Sequence, residues 1–333
     1  MLGAGEKSFS SGGDLKAHLD NYKQWQNNQS QQEVVQNVIN HLKTVFTCSY
    51  KLATLKDTLF VSFLNGYVMG QGAGYGMNSH IKIATEKTVF AMPEVQIGFF
   101  ADASGSYFLN QIPDNLGIYL AMTGKKINGM EMKQMQLCDF YIDTNMQQEL
   151  IKSLAYISNF NEGSNKFQLQ QLYHEYLDYL QRQNYNEDHI IYQKYKNYEY
   201  IREIFEVDSF NEILVNLDKY QHKDFVKEIK YSFEKAAPWS LLTNFELYYK
   251  SKKEKLSLKE CVLLDYRLGY KLVQNADFFE GIRCTLIDRG DTPKWKHKSI
   301  YEIDPQEIKA QLYEELPYNL EKELIQNLEK EEF

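Results

Sequence analysis

Cysteine is scarce in this chain. Cys48, Cys138, Cys261 and Cys284 stand far apart and form no Cys-X-X-Cys pair, which excludes a disulfide scaffold or a zinc ribbon and suits a reducing compartment. Seven histidines show no His-X-X-X-His spacing, so a zinc hydrolase has no ligand set to stand on, and no metal site is expected. Proline occurs six times, and no apolar run approaches the ~18 residues needed to cross a bilayer, so membrane insertion is not expected. The opening residues, MLGAGEKSFSSGGDLK, contain neither an apolar signal core nor an Arg-rich amphipathic presequence. Positive charge is also short, with 37 Lys and Arg against 45 Asp and Glu and a net charge of −8. That balance argues against a protein whose main task is binding naked nucleic acid, while leaving room for one held among other proteins on an RNA-containing particle.

What remains is ordinary globular material: 43% hydrophobic and 25% charged over 333 residues, enough for a large core in two domains or one domain with an appendage. The first third reads as layered α/β. Residues 58–64 form a β-rich run that stops at Asn65-Gly66, a turn signal. The glycine-dense stretch 66–80 has the small-residue spacing of a tightly packed helix, and two short strand-like runs follow at 80–84 and 88–92. Leu116 to Met122 leads to Thr123-Gly124, a helix stop. Residues 165–205 carry Leu, Tyr and Ile at helical spacing among Gln, Lys and Glu. This predicts amphipathic helices whose Tyr rings are buried and whose hydroxyls stay wet. The polar stretch 20–35 reads as a loop entering a helix near Val34, and 316–333 as a charged helix or tail.

Three segments carry chemistry. Phe9-Ser10-Ser11-Gly12-Gly13-Asp14 places two glycines and an acid at a helix start, which exposes backbone N–H groups able to hold an oxyanion, or simply turns the chain with Asp14 as a cap. Asn65 to Gly74 is dense enough in glycine for a ligand or another backbone to approach closely, yet it matches neither a P-loop nor a dinucleotide fingerprint. Met92-Pro93-Glu94 to Asp102 sets two carboxylates eight apart in apolar, aromatic surroundings. A carboxyl so placed has its pKa raised toward neutrality, the condition for acid–base work.

Together these segments resemble the crotonase (enoyl-CoA hydratase/isomerase) superfamily and, within it, the 3-hydroxyisobutyryl-CoA hydrolase branch. The resemblance rests on FSSGGDLK (9–16), NGYVMGQGAGYG (65–76), ATEKTVFAMPEVQIGFFADASGSYFL (84–109), LAMTGKKINGMEM (120–132) and LDYRLGYKLVQNADFFEGIRCTLIDRGDTPKW (264–295). It implies an α/β fold with a ββα spiral core over 1–145, a helical C-terminal region over 146–300, and a charged helix or tail over 301–333. It also implies a coenzyme A thioester as substrate, with no metal or tightly bound cofactor, and a mitochondrial location. Glu94 matches the carboxylate that attacks or activates water, and Asp102 its partner at the thioester. Ser11 and Gln71 match the two backbone N–H donors of the oxyanion hole. Gly12, Gly13, Asp14, Gly70, Gly72, Gly74 and Gly98 fall at substrate-binding positions. Gly74 stands where hydratases carry their other catalytic glutamate, which fits hydrolysis and argues against hydration.

The chain departs from the family pattern at several points. Gln71 replaces a glycine, Ser104-Gly105-Ser106 replaces three glycines, Ala101 replaces a proline, and Met135-Gln136 replaces an Ala-Gly pair. Met1 to Gly5 corresponds to the end of a strand already several elements into the family fold. A sheet cut there has an unpaired edge, so a separate polypeptide is expected to supply the earlier strands, unless the sequence is a piece of a longer one. Two readings follow. In one, the protein hydrolyses a short branched acyl-CoA of valine breakdown. In the other, it is a catalytically relaxed homologue serving as a structural subunit of a large mitochondrial ribonucleoprotein, the small ribosomal subunit foremost.

Overall fold

Short runs of β-branched and aromatic residues form strands β1 (Ser8–Ser10), β2 (Val61–Leu64), β3 (Tyr67–Met69), β4 (Ile81–Ala84), β5 (Val89–Ala91), β6 (Ile127–Asn128) and β7 (Phe140–Tyr141). The early helices are α1 (Gln31–Ala53), α2 (Gln71–Met77), α3 (Gly105–Phe108), α4 (Leu116–Thr123) and α5 (Gly129–Gln134). Those of the second half are α6 (Gln147–Phe160), α7 (Lys166–Asn184), α8 (Tyr198–Phe205), α9 (Phe210–Lys219), α10 (Asp224–Lys235), α11 (Pro238–Lys253), α12 (Leu258–Leu272), α13 (Ala276–Ile282), α14 (Pro305–Tyr313) and α15 (Tyr318–Glu329). The structure is a computed structural model that describes residues 1–15, 31–161, 163–186 and 188–330. The chain forms two compact units: Met1–Gly12, Lys51–Ala91 and Lys126–Lys196 make the first, and Gly13–Tyr50, Met92–Lys125 and Asn197–Phe333 make the second.

The first unit is the layered α/β part. Its strands lie in two sheets, of order β1-β3-β5-β6 and β2-β4-β7. Successive strands alternate between them: β2 joins one sheet and β3 the other, α2 follows, and β4 and β5 repeat the assignment. That alternation is the expected ββα spiral. Pairing is parallel, with Val61 opposite Ile81 and Met69 opposite Ala91, except for the antiparallel β5–β6 pair. Asn65-Gly66 makes the step between sheets: Gly66 has φ +75°, and a Cβ there would stand 2.3 Å from the Lys7 carbonyl, so only glycine fits. Met1 lies along β2, its carbonyl accepting the Phe63 N–H at 3.1 Å. Phe63, Ile81, Ile83 and Phe140 from the three-stranded sheet are buried with Leu150, Leu154, Tyr173 and Leu177 from α6 and α7.

The second unit is helical, and the reason is composition. Every residue of α4, LGIYLAMT, is buried, as befits a helix apolar all round. Gly124 closes it at φ +61°, donating its N–H to the Leu120 carbonyl at 3.0 Å. In α1, Val34, Val38, Leu42 and Phe46 are buried at intervals of four. Pro238 opens α11 at its first turn, where a missing N–H costs nothing. Ser257 and Glu260 form a capping box for α12. The charged C-terminal stretch forms α15, tied down by buried Leu324 and Leu328 and by ion pairs of Glu321 with Arg267 and Glu323 with Lys43.

Two expectations need correction. The stretch 66–80 is not helical throughout: Tyr67–Met69 pair as a strand, and the helix begins only at Gln71. Glycine spacing signalled close packing there, but backbone pairing with β1 and β5 won over helix for the first three residues. The tyrosine hydroxyls are not all wet either. Tyr173 is buried and donates to the Leu154 carbonyl at 2.8 Å, because a buried hydroxyl requires a partner. The polar loop expected over 20–35 lies largely outside the described residues, and from Gln31 the chain is already helical.

Candidate active site

In the first unit, parallel pairing brings two of the three glycine and carboxylate segments side by side. Ser10 is opposite Val68, and Met69 is opposite Ala91. The chain therefore leaves β1 at Ser11-Gly12 and β3 at Gly70-Gln71 at the same end of neighbouring strands. Gly12 has φ +105°, and a Cβ on it would meet the Met69 carbonyl at 3.1 Å. A Cβ on Gly72 would stand 2.2 Å from Ser10 Oγ and 2.8 Å from its carbonyl. These two glycines are what let the β1 turn and the start of α2 touch. Gly70 takes φ 54°, ψ −131°, donates its N–H to the Ala91 carbonyl at 3.2 Å, and accepts from the N–H groups of Ala73 and Gly74. Ser11 is exposed, Gln71 is half-buried as the first residue of α2, and Gly74 is buried inside that helix.

The second unit holds Gly13, exposed Asp14, and the third segment. Glu94 opens a single 3-10 turn, Glu94–Ile97, that Gly98 ends at φ +71°. Two glycines lock that turn against α13. A Cβ on Gly98 would stand 2.2 Å from the Asp277 carbonyl, and one on Gly281 would stand 2.2 Å from the Ile97 carbonyl. This contact is the physical content of the Asp277-Phe-Phe-Glu-Gly281 motif, and it accounts for Gly98 by packing.

Asp102 is 1% exposed and Glu94 7%. Helix α11 grips the residue before Asp102 from two sides: Asn244 Oδ1 accepts the Ala101 N–H at 3.0 Å, and the Tyr248 hydroxyl donates to the Ala101 carbonyl at 3.2 Å. After Asp102 the chain makes a left-handed turn, with φ 52° at Ala103 and 63° at Ser104. The Gly105 N–H returns to the Asp102 carbonyl at 2.8 Å. Left-handed geometry costs a residue with a side chain on the order of 1 kcal/mol, a cost that glycine at 104, as the resemblance implies for the family, would avoid.

No lysine or arginine forms an ion pair with either acid among the described residues, and Glu94 Oε2 and Asp102 Oδ2 are buried without partners. Burial pushes the Asp102 carboxyl up to about 7, partly opposed by its own backbone N–H. Burial, followed by the charge of Asp102, holds Glu94 well above the ordinary carboxylate range. Two like charges cannot both be carried in so dry a place, so near neutral pH the pair keeps a proton. A couple that shares a proton can offer one carboxyl as a base and the other as an acid.

Sequence reading passed over three residues here: Asn244, Tyr248 and Asp265. Asp265 did leave a signal. Cys261, Leu264, Leu268 and Leu272 form the buried stripe of α12, and Asp265 falls on that stripe, fully buried. Among the described residues no group of three His, Cys, Asp or Glu side chains is arranged to hold a metal, and no helix is long and apolar enough to cross a membrane.

Residues 1–312 match the enoyl-CoA hydratase/isomerase family model. The mitochondrial 3-hydroxyisobutyryl-CoA hydrolase of Dictyostelium discoideum is 34% identical over 307 residues, 91% of this chain and 76% of its own length. The Danio rerio protein of the same name is 29% identical over 92% of this chain and 75% of its own. Among solved structures, an enoyl-CoA hydratase from Rhodobacter sphaeroides superposes with a TM-score of 0.72 at 20% identity, covering 92% of this chain and 81% of that one. A carnitinyl-CoA dehydratase from Mycobacterium thermoresistibile gives 0.70 at 22% identity, covering 93% and 81%. This chain belongs to the enoyl-CoA hydratase/isomerase family, with the crotonase fold, in its 3-hydroxyisobutyryl-CoA hydrolase branch.

Proposed function

We propose that this protein is a mitochondrial acyl-CoA thioester hydrolase acting on a short, branched acyl group of the 3-hydroxyisobutyryl type. The observation that carries the reading is the buried, unpaired Glu94–Asp102 couple, whose proton-sharing suits a base and an acid in one reaction. Relatives named for this hydrolysis in two organisms support the substrate class.

In this reading the proton that the couple keeps passes from Glu94 to Asp102 when the thioester binds, and Glu94 then takes a proton from water as the water oxygen adds to the thioester carbonyl. The carbonyl electrons move onto oxygen, and the family resemblance assigns Ser11 and Gln71 the backbone N–H groups that hold that oxyanion. Collapse expels coenzyme A as its thiolate, which takes the proton that Glu94 received from water, leaving the free acid and the thiol. Asp102 sets the charge at the couple and thereby the readiness of Glu94 to accept its proton. With Gly74 at the other family position, addition of water to a double bond lacks its second carboxylate.

The test is release of free thiol from 3-hydroxyisobutyryl-CoA by the purified protein, compared with the Glu94→Gln variant. Turnover that disappears in the variant supports the proposal. An inactive parent, or turnover that survives Glu94→Gln, removes it; inactivity together with co-sedimentation with a ribonucleoprotein supports the structural-subunit reading.

A further inference from the structure

A third carboxyl shares the surroundings of the couple. Asp265 lies on α12, fully buried, 163 positions along the chain from Asp102. Its Oδ2 accepts the Ser104 N–H at 2.6 Å. Its Oδ1 is buried without a hydrogen-bond partner. The bond falls on a particular atom: Ser104 is the second of the two left-handed residues that follow Asp102, and the Gly105 N–H next to it closes back on the Asp102 carbonyl.

We propose that Asp265 is a positioning residue for Asp102: by holding the Ser104 N–H it fixes the left-handed Ala103–Ser104 turn, and so the place at which the Asp102 carboxyl is presented. The inference rests on the hydrolase reading for its activity assay, but not for its geometry.

Three observations support it. A left-handed turn made of Ala and Ser has no glycine to stabilise it, so an external hydrogen bond must hold it. Asn244 and Tyr248 pin Ala101 on the other side, so Asp102 is clamped before and after by two helices of the same unit. A purely structural acceptor for one N–H needs no ionisable group, yet this one is an acid beside Asp102. The groups that face Asp265 are Asp102, Tyr248, Cys261 and the Ser104 N–H. None of them is a cation. Burial first, and then the Asp102 charge, keep Asp265 protonated while Asp102 ionises. The turn is thus held by a neutral acid that leaves the charge of the site on Asp102.

The experiment compares Asp265→Ala, Asp265→Asn, and Asp265→Ala combined with Ser104→Gly, with kcat, KM and melting temperature read for each. The Ala variant loses the acceptor, and kcat is expected to fall by about a hundredfold with KM little changed, as for a displaced catalytic group. The Asn variant keeps an acceptor oxygen and loses less. Glycine at 104 adopts the left-handed turn without help, so the double variant recovers part of the lost kcat. A folded Ala variant with the parent kcat, or one that loses melting temperature alone, overturns the proposal.

If the Ala variant does not fold, the pH profile of Asp265→Asn decides. Turnover of the parent is expected to fall at alkaline pH, where ionised Asp265 would place a second charge beside Asp102, and the fall to weaken in the variant, which has no such charge; superimposable profiles overturn the proposal. If the parent shows no turnover, the hydrolase reading fails by itself. The clamp is then read from the 13C carboxyl resonance of Asp102, assigned by its loss in Asp102→Asn. In the parent it is expected to titrate at about 7, and in Asp265→Ala to move to lower pH as the turn opens to water. An unmoved titration overturns the clamp.

Discussion

The Asp102 carboxylate, buried beside Glu94, helps keep the proton on Glu94, and among the described residues no cation offsets either acid. That relationship makes stability depend on pH in a stated direction. A carboxyl raised from 3.8 to about 7 binds its proton more tightly in the folded state. Its stabilising effect is full below the unfolded value and is lost as pH rises through the folded one. The melting temperature is therefore expected to fall between about pH 4 and pH 7, and Asp102→Asn to flatten that fall. Calorimetry of both proteins across this range is the check; parallel curves refute it.

Glu94→Gln is expected to lower thioester turnover at least a hundredfold, the scale of a lost general base. It should also raise the melting temperature at neutral pH, because Glu94 must take up a proton to be buried and an amide of the same shape need not. Activity and stability moving in opposite directions would mark Glu94 as kept for chemistry. A variant that loses both would mark a packing role.

Gly105 leaves no room for a side chain: a Cβ there would stand 2.6 Å from the Tyr248 hydroxyl. Gly105→Ala should destabilise by about 1–3 kcal/mol, the range for overpacking a core. Tyr248→Phe removes the obstructing oxygen and costs about 1 kcal/mol for its bond to Ala101. In the double variant the two losses should sum to more than the measured total. Chemical denaturation of the four proteins gives the coupling directly, and strict additivity refutes the contact.

Gly72→Ala puts a methyl group 2.8 Å from the Ser10 carbonyl, which cannot swing aside as the Ser10 hydroxyl can. The start of α2 must then move away from β1. Turnover is expected to fall about tenfold or more, from displacement of the groups proposed to bind the thioester, while far-ultraviolet circular dichroism stays unchanged. Parent-like turnover would show that this contact does not position the site.

Much of the candidate site was legible because its signals are local. Asn65-Gly66 turns the chain whatever surrounds it, and Gly124 stops a helix through its own backbone freedom. The spacing of Glu94 and Asp102 within aromatic residues already indicated raised carboxyls. The strand Tyr67–Met69 was missed because its pairing partners, β1 and β5, lie elsewhere in the chain. Tyr173 was misread because the Leu154 carbonyl that takes its hydroxyl belongs to another helix.

The sequence by itself determined the alternation of strand, turn and helix, the glycines at sharp turns, and the two carboxylates eight apart, since each depends on neighbours within a few residues. Tertiary structure alone decided that Asn244, Tyr248 and Asp265 gather around Asp102, and that among the described residues no cation pairs with the acids. Those outcomes depend on desolvation, and desolvation is set by what segments some 140 to 160 positions away pack against a group.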